Sequence, residues 1–129
     1  MIHLLDANVL IALTVSEHEH HDRAGRWLAD AVDFALCPVV EGALVRFLLR
    51  LGESSSTAAA LLSRVRAHPR CQFWADDLSY GDVVLSDLIG HRQVTDAYLA
   101  ALADAHGGTL ATFDASLRSL RPGSTVAVP

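Results

Sequence analysis

Ile2-His3-Leu4-Leu5-Asp6-Ala7-Asn8-Val9-Leu10 is the stretch whose reading decides the fold. An apolar run too short for a helix stops on Asp6, a preferred helix N-cap, and an apolar helical stretch follows. This reads as a buried strand feeding a helix. The layout recurs at Phe34-Ala35-Leu36-Cys37, followed by Pro38, which suits a first helical turn. It recurs again at Thr109-Leu110-Ala111-Thr112-Phe113-Asp114. Strands alternating with helices imply a parallel sheet joined by right-handed crossovers.

Working outward, strands are expected at 2–5, 34–37, 71–75 and 109–112, with an edge strand at 125–128. Helices are expected at 7–15, 17–32, 38–51, 58–67, 80–89, 94–106 and 115–120. The 17–32 helix would be amphipathic, with Ala24, Trp27, Leu28 and Ala31 on one face. Ser54-Ser55-Ser56-Thr57 reads as loop and cap before the 58–67 helix. Gly52, Pro69, Gly90 and Gly107-Gly108 punctuate the rest. The expected architecture is α/β: a short parallel sheet of four to five strands flanked by helices, in one domain spanning 1–129.

The 129 residues are enough for one substantial core, and 51% hydrophobic residues with a mean hydropathy of +0.29 exclude disorder. The apolar excess also suggests surface buried in a dimer or partner interface. The longest apolar run, Val9 to Val15, is far too short to span a bilayer. His3 and Asp6 interrupt the apolar start, so no secretory leader is expected. Two isolated cysteines, Cys37 and Cys71, fit a reducing cytoplasm. A net charge of −5 excludes a protein that grips long nucleic acid by charge alone. All ten basic residues are arginines, several of them clustered (Arg46 and Arg50; Arg64, Arg66 and Arg70), so an RNA substrate is permitted.

Four carboxylates stand out by position. Asp6 and Asp114 would sit at strand carboxyl ends, where open α/β sheets bind ligands. Glu41 and Asp96 would approach that rim from the starts of neighbouring helices. Acids gathered in one cleft repel unless a cation joins them, and hard divalent cations choose carboxylate oxygens. Each has a plainer reading too. Asp6 and Asp114 could be N-caps. Asp96, behind Thr95, could be a first-turn acid favoured by the helix dipole. Glu41 shares a helical face with Leu44, Val45 and Leu48, where an ionised carboxylate is costly unless paired or metal-bound. A salt bridge to Arg46 is conceivable, but five residues on it points elsewhere. Asp30, Asp33 and Glu53 read as surface acids, and Asp76-Asp77 as turn and cap chemistry at the rim. His18, His20 and His21 read as a solvated helix start rather than a zinc site. Asn8 and Thr112, each two residues from a key Asp, could hydrogen-bond metal-bound water or a phosphate.

Leu5-Asp6-Ala7-Asn8-Val9-Leu10, Glu41 in a helix after the second strand, Thr95-Asp96-Ala97-Tyr98-Leu99-Ala100-Ala101-Leu102-Ala103 and Ala111-Thr112-Phe113-Asp114 together resemble the PIN-domain ribonucleases. More narrowly they are similar to the VapC toxins of bacterial type II toxin–antitoxin pairs, from residue 3 to about residue 127. The resemblance implies a PIN-like three-layer sandwich and Mg²⁺ or Mn²⁺ in an acidic cleft. It further implies cleavage of single-stranded or loop RNA, a cognate small antitoxin and a homodimer. By match of motif Asp6, Glu41, Asp96 and Asp114 would be the catalytic quartet, with Asp6, Asp96 and Asp114 on the metal. Some members carry a further acid two residues after the last Asp; here Ser116 stands there, which leaves a second metal site open.

The expected function is therefore a divalent-metal-dependent endoribonuclease. The main rival is a receiver-like phospho-acceptor signalling domain, which also clusters acids at strand ends. That design needs a lysine, and the chain has none. The third reading is a catalytically idle PIN-like scaffold that only binds a partner.

Overall fold

The computed structural model describes residues 1–30 and 33–129. In chain order its elements are β1 (His3–Leu5), α1 (Ala7–Thr14), α2 (His21–Asp30), β2 (Phe34–Leu36), α3 (Pro38–Arg50) and α4 (Ser55–Arg66). They continue with β3 (Cys71–Phe73), α5 (Gln93–Ala105), β4 (Thr109–Thr112), α6 (Ala115–Leu120) and β5 (Thr125–Ala127). The five strands form one sheet in the order β3-β2-β1-β4-β5, and every pairing is parallel. Leu4, Leu5, Ala35, Leu36, Leu110 and Ala111 are fully buried, as strands covered on both faces require. α1 packs on α2 and α3, and α3 on α4, whereas α5 packs on β1, β4 and α6. With right-handed crossovers these two sets cover opposite faces, giving helices, sheet and helices in three layers. The expected α/β sandwich is the observed one.

The strand order places the site. From β1 the chain moves outward to β2 and β3, then returns to lay β4 against the other side of β1. The direction of winding therefore reverses between β1 and β4, and the crevice beyond their carboxyl ends is where such sheets bind ligands. Receiver domains wind in the order 2-1-3-4-5 with the switch elsewhere; this sheet does not.

Three expected helices differ. Within 80–89 only Tyr80–Asp82 forms a single 3₁₀ turn. The β-branched Val83 and Val84 are poor helix formers, Val83 is drawn into the core, and Arg121 clamps the segment. Its guanidinium donates to both carboxylate oxygens of Asp87 (2.6 and 3.0 Å) and to the Val84 carbonyl (2.8 Å). The 17–32 helix begins only at His21. The His18 ring Nδ1 accepts from the His20 N–H at 3.0 Å, a local bond that competes with helix formation. Ala24 is buried on the expected face with Trp27 and Leu28 beside it, while Ala31 and Val32 lie outside the described residues. In the other direction, α4 starts at Ser55 rather than Ala58, because Ser54 caps it by accepting from the Thr57 N–H at 3.0 Å.

Candidate active site

The β1–β4 ladder runs one residue past β1: the Asp6 N–H donates to the Ala111 carbonyl at 3.0 Å. This fixes the Asp6 backbone at the switch point and leaves its side chain, only 7% exposed, inside the crevice. Both of its oxygens are held. Oδ1 accepts from the Ala7 N–H at 2.8 Å and Oδ2 from the Thr112 hydroxyl at 2.7 Å. The Thr112 oxygen in turn accepts from the Asp114 N–H at 3.0 Å. Asp114 then caps α6, its Oδ1 accepting from the Leu117 N–H at 3.1 Å. The capping reading of both aspartates holds, and it leaves a site role open to them. The caps orient the acids that line the crevice.

Asp96 enters from the first turn of α5, half-buried. Burial, then the charges of Asp6 and Asp114, push its carboxyl up to about 6, despite the favourable helix terminus. Burial likewise raises Asp6, against the hydrogen bonds from Thr112 and Ala7, and the Asp114 charge adds to the rise. Asp6, Asp96 and Asp114 therefore feel one another as a single cluster of negative charge.

Glu41 lies toward the β3 edge of the same rim. Leu44 and Leu48 of its helical face are buried as expected, and the Glu41 side chain is 14% exposed. Its Oε2 is buried without a hydrogen bond. The nearest cation is Arg66, with Nε at 3.7 Å, and not Arg46. The Glu41 charge acts on the Cys71 thiol, which burial raises to about 11. Sequence spacing could not reveal the Arg66 partnership, because it depends on α4 folding back along α3.

The supporting residues divide. Thr112 is fully buried and its hydroxyl is used in holding Asp6 and Asp114, so it orients the acids rather than meeting solvent. Asn8 is exposed in the first turn of α1. Asp77 pairs with His106 at 3.0 Å, while Asp76 lies by Cys37 and Tyr98 and helps raise both, behind burial. The histidines serve the α1–α2 connection: His21 Nδ1 lies 2.7 Å from the Ala12 carbonyl, and His20 Nδ1 lies 3.2 Å from the Arg23 guanidinium.

Chemically, the crevice presents carboxylate oxygens and no lysine or arginine hydrogen-bonded to Asp6 or Asp114 among the described residues. No three His, Cys, Asp or Glu side chains stand close enough together to hold a metal ion, among the described residues. The fit to a hard divalent cation is one of donor type and charge: mutually repelling oxygens, plus one buried and unbonded at Glu41.

Comparison with known proteins bears on the family and the fold. The family profile described as PIN domain matches residues 3–121. The chain is 52% identical over 127 residues to Ribonuclease VapC29 of Mycobacterium tuberculosis, covering 98% of this chain and 96% of that protein. It is 39% identical over 124 residues to Ribonuclease VapC38 of the same organism, covering 91% and 88%. Among solved structures, the fold is similar to Mycobacterium tuberculosis VapC20, described as a sarcin–ricin loop cleaving toxin, with a TM-score of 0.71, 17% identity and 93% and 95% of the two chains covered. It is also similar to VapBC2 from Rickettsia felis, solved with a promoter DNA fragment, with a TM-score of 0.69, 17% identity and 98% of each chain covered.

Proposed function

The chain belongs to the PIN-domain family, and from that premise we propose that it is a divalent-metal-dependent endoribonuclease, the toxin of a toxin–antitoxin pair. The observation that carries the chemistry is the acid cluster at the topological switch point, where the Asp6 carboxylate and the Asp114 N–H share the Thr112 hydroxyl and where burial, then the charges of Asp6 and Asp114, raise Asp96. Asp6, Asp96 and Asp114 would hold Mg²⁺ or Mn²⁺, which when bound neutralises phosphate charge and lowers the pKa of a coordinated water. Thr112 holds the Asp6 carboxylate in one orientation throughout. Glu41 accepts a proton at its unbonded Oε2, or orients the attacking water. Asn8, exposed beside Asp6, meets a substrate phosphate or water. Arginines at the rim position the RNA backbone.

The relatives support the partner. The Rickettsia felis structure is of VapBC2 bound to promoter DNA, and FitAB, solved bound to an IR36 DNA fragment, has the same fold (TM-score 0.60, 21% identity). An antitoxin would bury an apolar segment on this protein. The groove of about 280 Å³ whose apolar wall is Leu13, Leu28, Phe34, Leu61 and Val65, with Thr14, Arg64 and His68 completing the lining, supports that reading. Exposed Val84, Leu85 and Ile89 support a homodimer. The two free cysteines, Cys37 and Cys71, support a reducing, cytoplasmic setting.

The test is cleavage of structured RNA by purified protein with Mn²⁺ or with EDTA. Wild type should cut only with metal. Asp6→Asn and Asp96→Asn should fold and fail to cut, since each removes ligand charge at constant size. Normal cutting by either folded variant would refute the metal site.

A further inference from the structure

The carboxyl rim of the sheet continues past the acid cleft to the edge strand β3. There two residues to which the proposed cleavage gives no role, Arg66 and Phe73, meet beside Glu41. Arg66, the last residue of α4, lays its guanidinium over the Phe73 ring, with Cζ 5.0 Å from the centroid. Its Nε points to Glu41 Oε2 at 3.7 Å. Two contacts thus hold the guanidinium by one face and one edge. Even so, the Arg66 side chain is 50% exposed and Phe73 is 46% exposed.

The ring steadies the guanidinium beside Glu41, yet both groups keep about half of their surface open to a further partner. The Phe73 ring, half exposed at the end of an edge strand, can take a further flat group. The pair combines the two groups that single-stranded nucleic acid recognises. A preorganised planar fork of N–H donors matches phosphate oxygens, and an aromatic face accepts an unpaired base.

We propose that Arg66 and Phe73 are positioning residues for single-stranded RNA, Arg66 taking a backbone phosphate and Phe73 stacking a base. This rests on the ribonuclease reading above. Phe73 is level with Leu36 in the sheet register, so it stands on the same rim as Asp6. β3 lies two strands from β1, about 10 Å at ordinary strand spacing. The nucleotide held there is therefore a neighbour of the one cut. Because stacking is tolerant of base identity, the pair selects unpaired RNA over duplex rather than one sequence over another.

The test uses the full chain carrying Asp6→Asn, so that RNA binds without being cut. Binding of a short fluorescein-labelled single-stranded RNA is followed by anisotropy across a salt series. Adding Arg66→Ala should weaken binding about tenfold and reduce the salt slope by about one phosphate contact. Arg66→Lys should keep the slope. Phe73→Leu, which keeps apolar bulk, should weaken binding several-fold at unchanged slope. That loss should vanish on an abasic strand of the same length, where the Arg66→Ala loss persists. Unchanged affinity and slope in both variants overturn the inference, including where Arg66→Ala merely lowers the melting temperature. If the parent binds RNA and the variants match it, the ribonuclease reading stands and only this inference falls. If the parent binds no RNA, both fall.

Discussion

The Thr112 hydroxyl is a single group that ties together the two aspartates proposed to be catalytic, through the Asp6 carboxylate and the Asp114 backbone. It donates to Asp6 Oδ2 and accepts from the Asp114 N–H, at zero solvent exposure. A hydrogen bond to a charged group contributes about 1.5–3 kcal/mol, and groups that orient metal ligands commonly affect activity by about 10–100-fold. Thr112→Val should therefore lower the RNA cleavage rate by about that factor and destabilise the fold by about 2 kcal/mol. Thr112→Ser should restore most of the rate. Single-turnover cleavage with Mn²⁺ checks this, and a Ser variant as slow as Val would show that the hydroxyl is not what matters. This residue also shows where sequence reading stops. The motif Ala111-Thr112-Phe113-Asp114 placed Thr112 beside an acid, but which way its hydroxyl turns depends on β4 lying against β1. The acids were legible because each closes or opens an element. Thr112 was read as facing water or phosphate, and it faces the acids instead.

Among the elements, strands and their order of succession were readable because a short buried strand leaves an uninterrupted apolar run, as in Leu4-Leu5 and Leu110-Ala111. The helix over 80–89 was misread because its apolar residues are spaced for a helix while Arg121, a residue far along the chain, takes the Val84 carbonyl that a helix would need. The Gly107-Gly108 stop was legible, and the structure separates the two roles. Gly107 has φ +76° and ends α5: its N–H donates to Asp104 and that of Gly108 to Ala103. A Cβ on Gly108 would collide with the Ile2 carbonyl oxygen and come 2.8 Å from Trp74. That close approach lets β4 run beside β1 and so sets the two aspartates at one crevice. Gly107→Ala should cost about 1 kcal/mol. Gly108→Ala should cost about 3 kcal/mol or more, since backbone cannot yield as a side chain does. Urea midpoints at constant slope decide the order, and equal losses would mean that Gly108 serves only as a helix stop.

For the whole molecule, the acid cluster ties stability to pH and metal together. Asp96 has an ordinary value of 3.8 and is pushed up to about 6 by burial first, then by Asp6 and Asp114. A carboxyl raised on folding keeps its proton in the folded state after the unfolded chain has released it. Below about pH 4 both states are protonated and Asp96 costs nothing. Between about 4 and 6 the unfolded chain loses its proton first, so folding stability falls as pH rises. Above that the loss is constant, about 1–2 kcal/mol once solvent screening of a half-buried group is allowed for. Asp96→Asn cannot ionise, so without metal it should melt level with wild type near pH 4 and increasingly above it toward pH 7. On the proposed function, a divalent metal would bind the assembled cluster and not the unfolded chain, stabilising by about 2.7 kcal/mol at a hundredfold excess over Kd. Mn²⁺ should therefore raise wild type more than Asp96→Asn and close or reverse the gap at neutral pH. Both effects arise from one group of charges, so they must appear together in scanning calorimetry. Were Asp96 only a first-turn acid favoured by the helix dipole, the variant would melt lower at neutral pH and Mn²⁺ would move both proteins equally, which would remove Asp96 from the metal site.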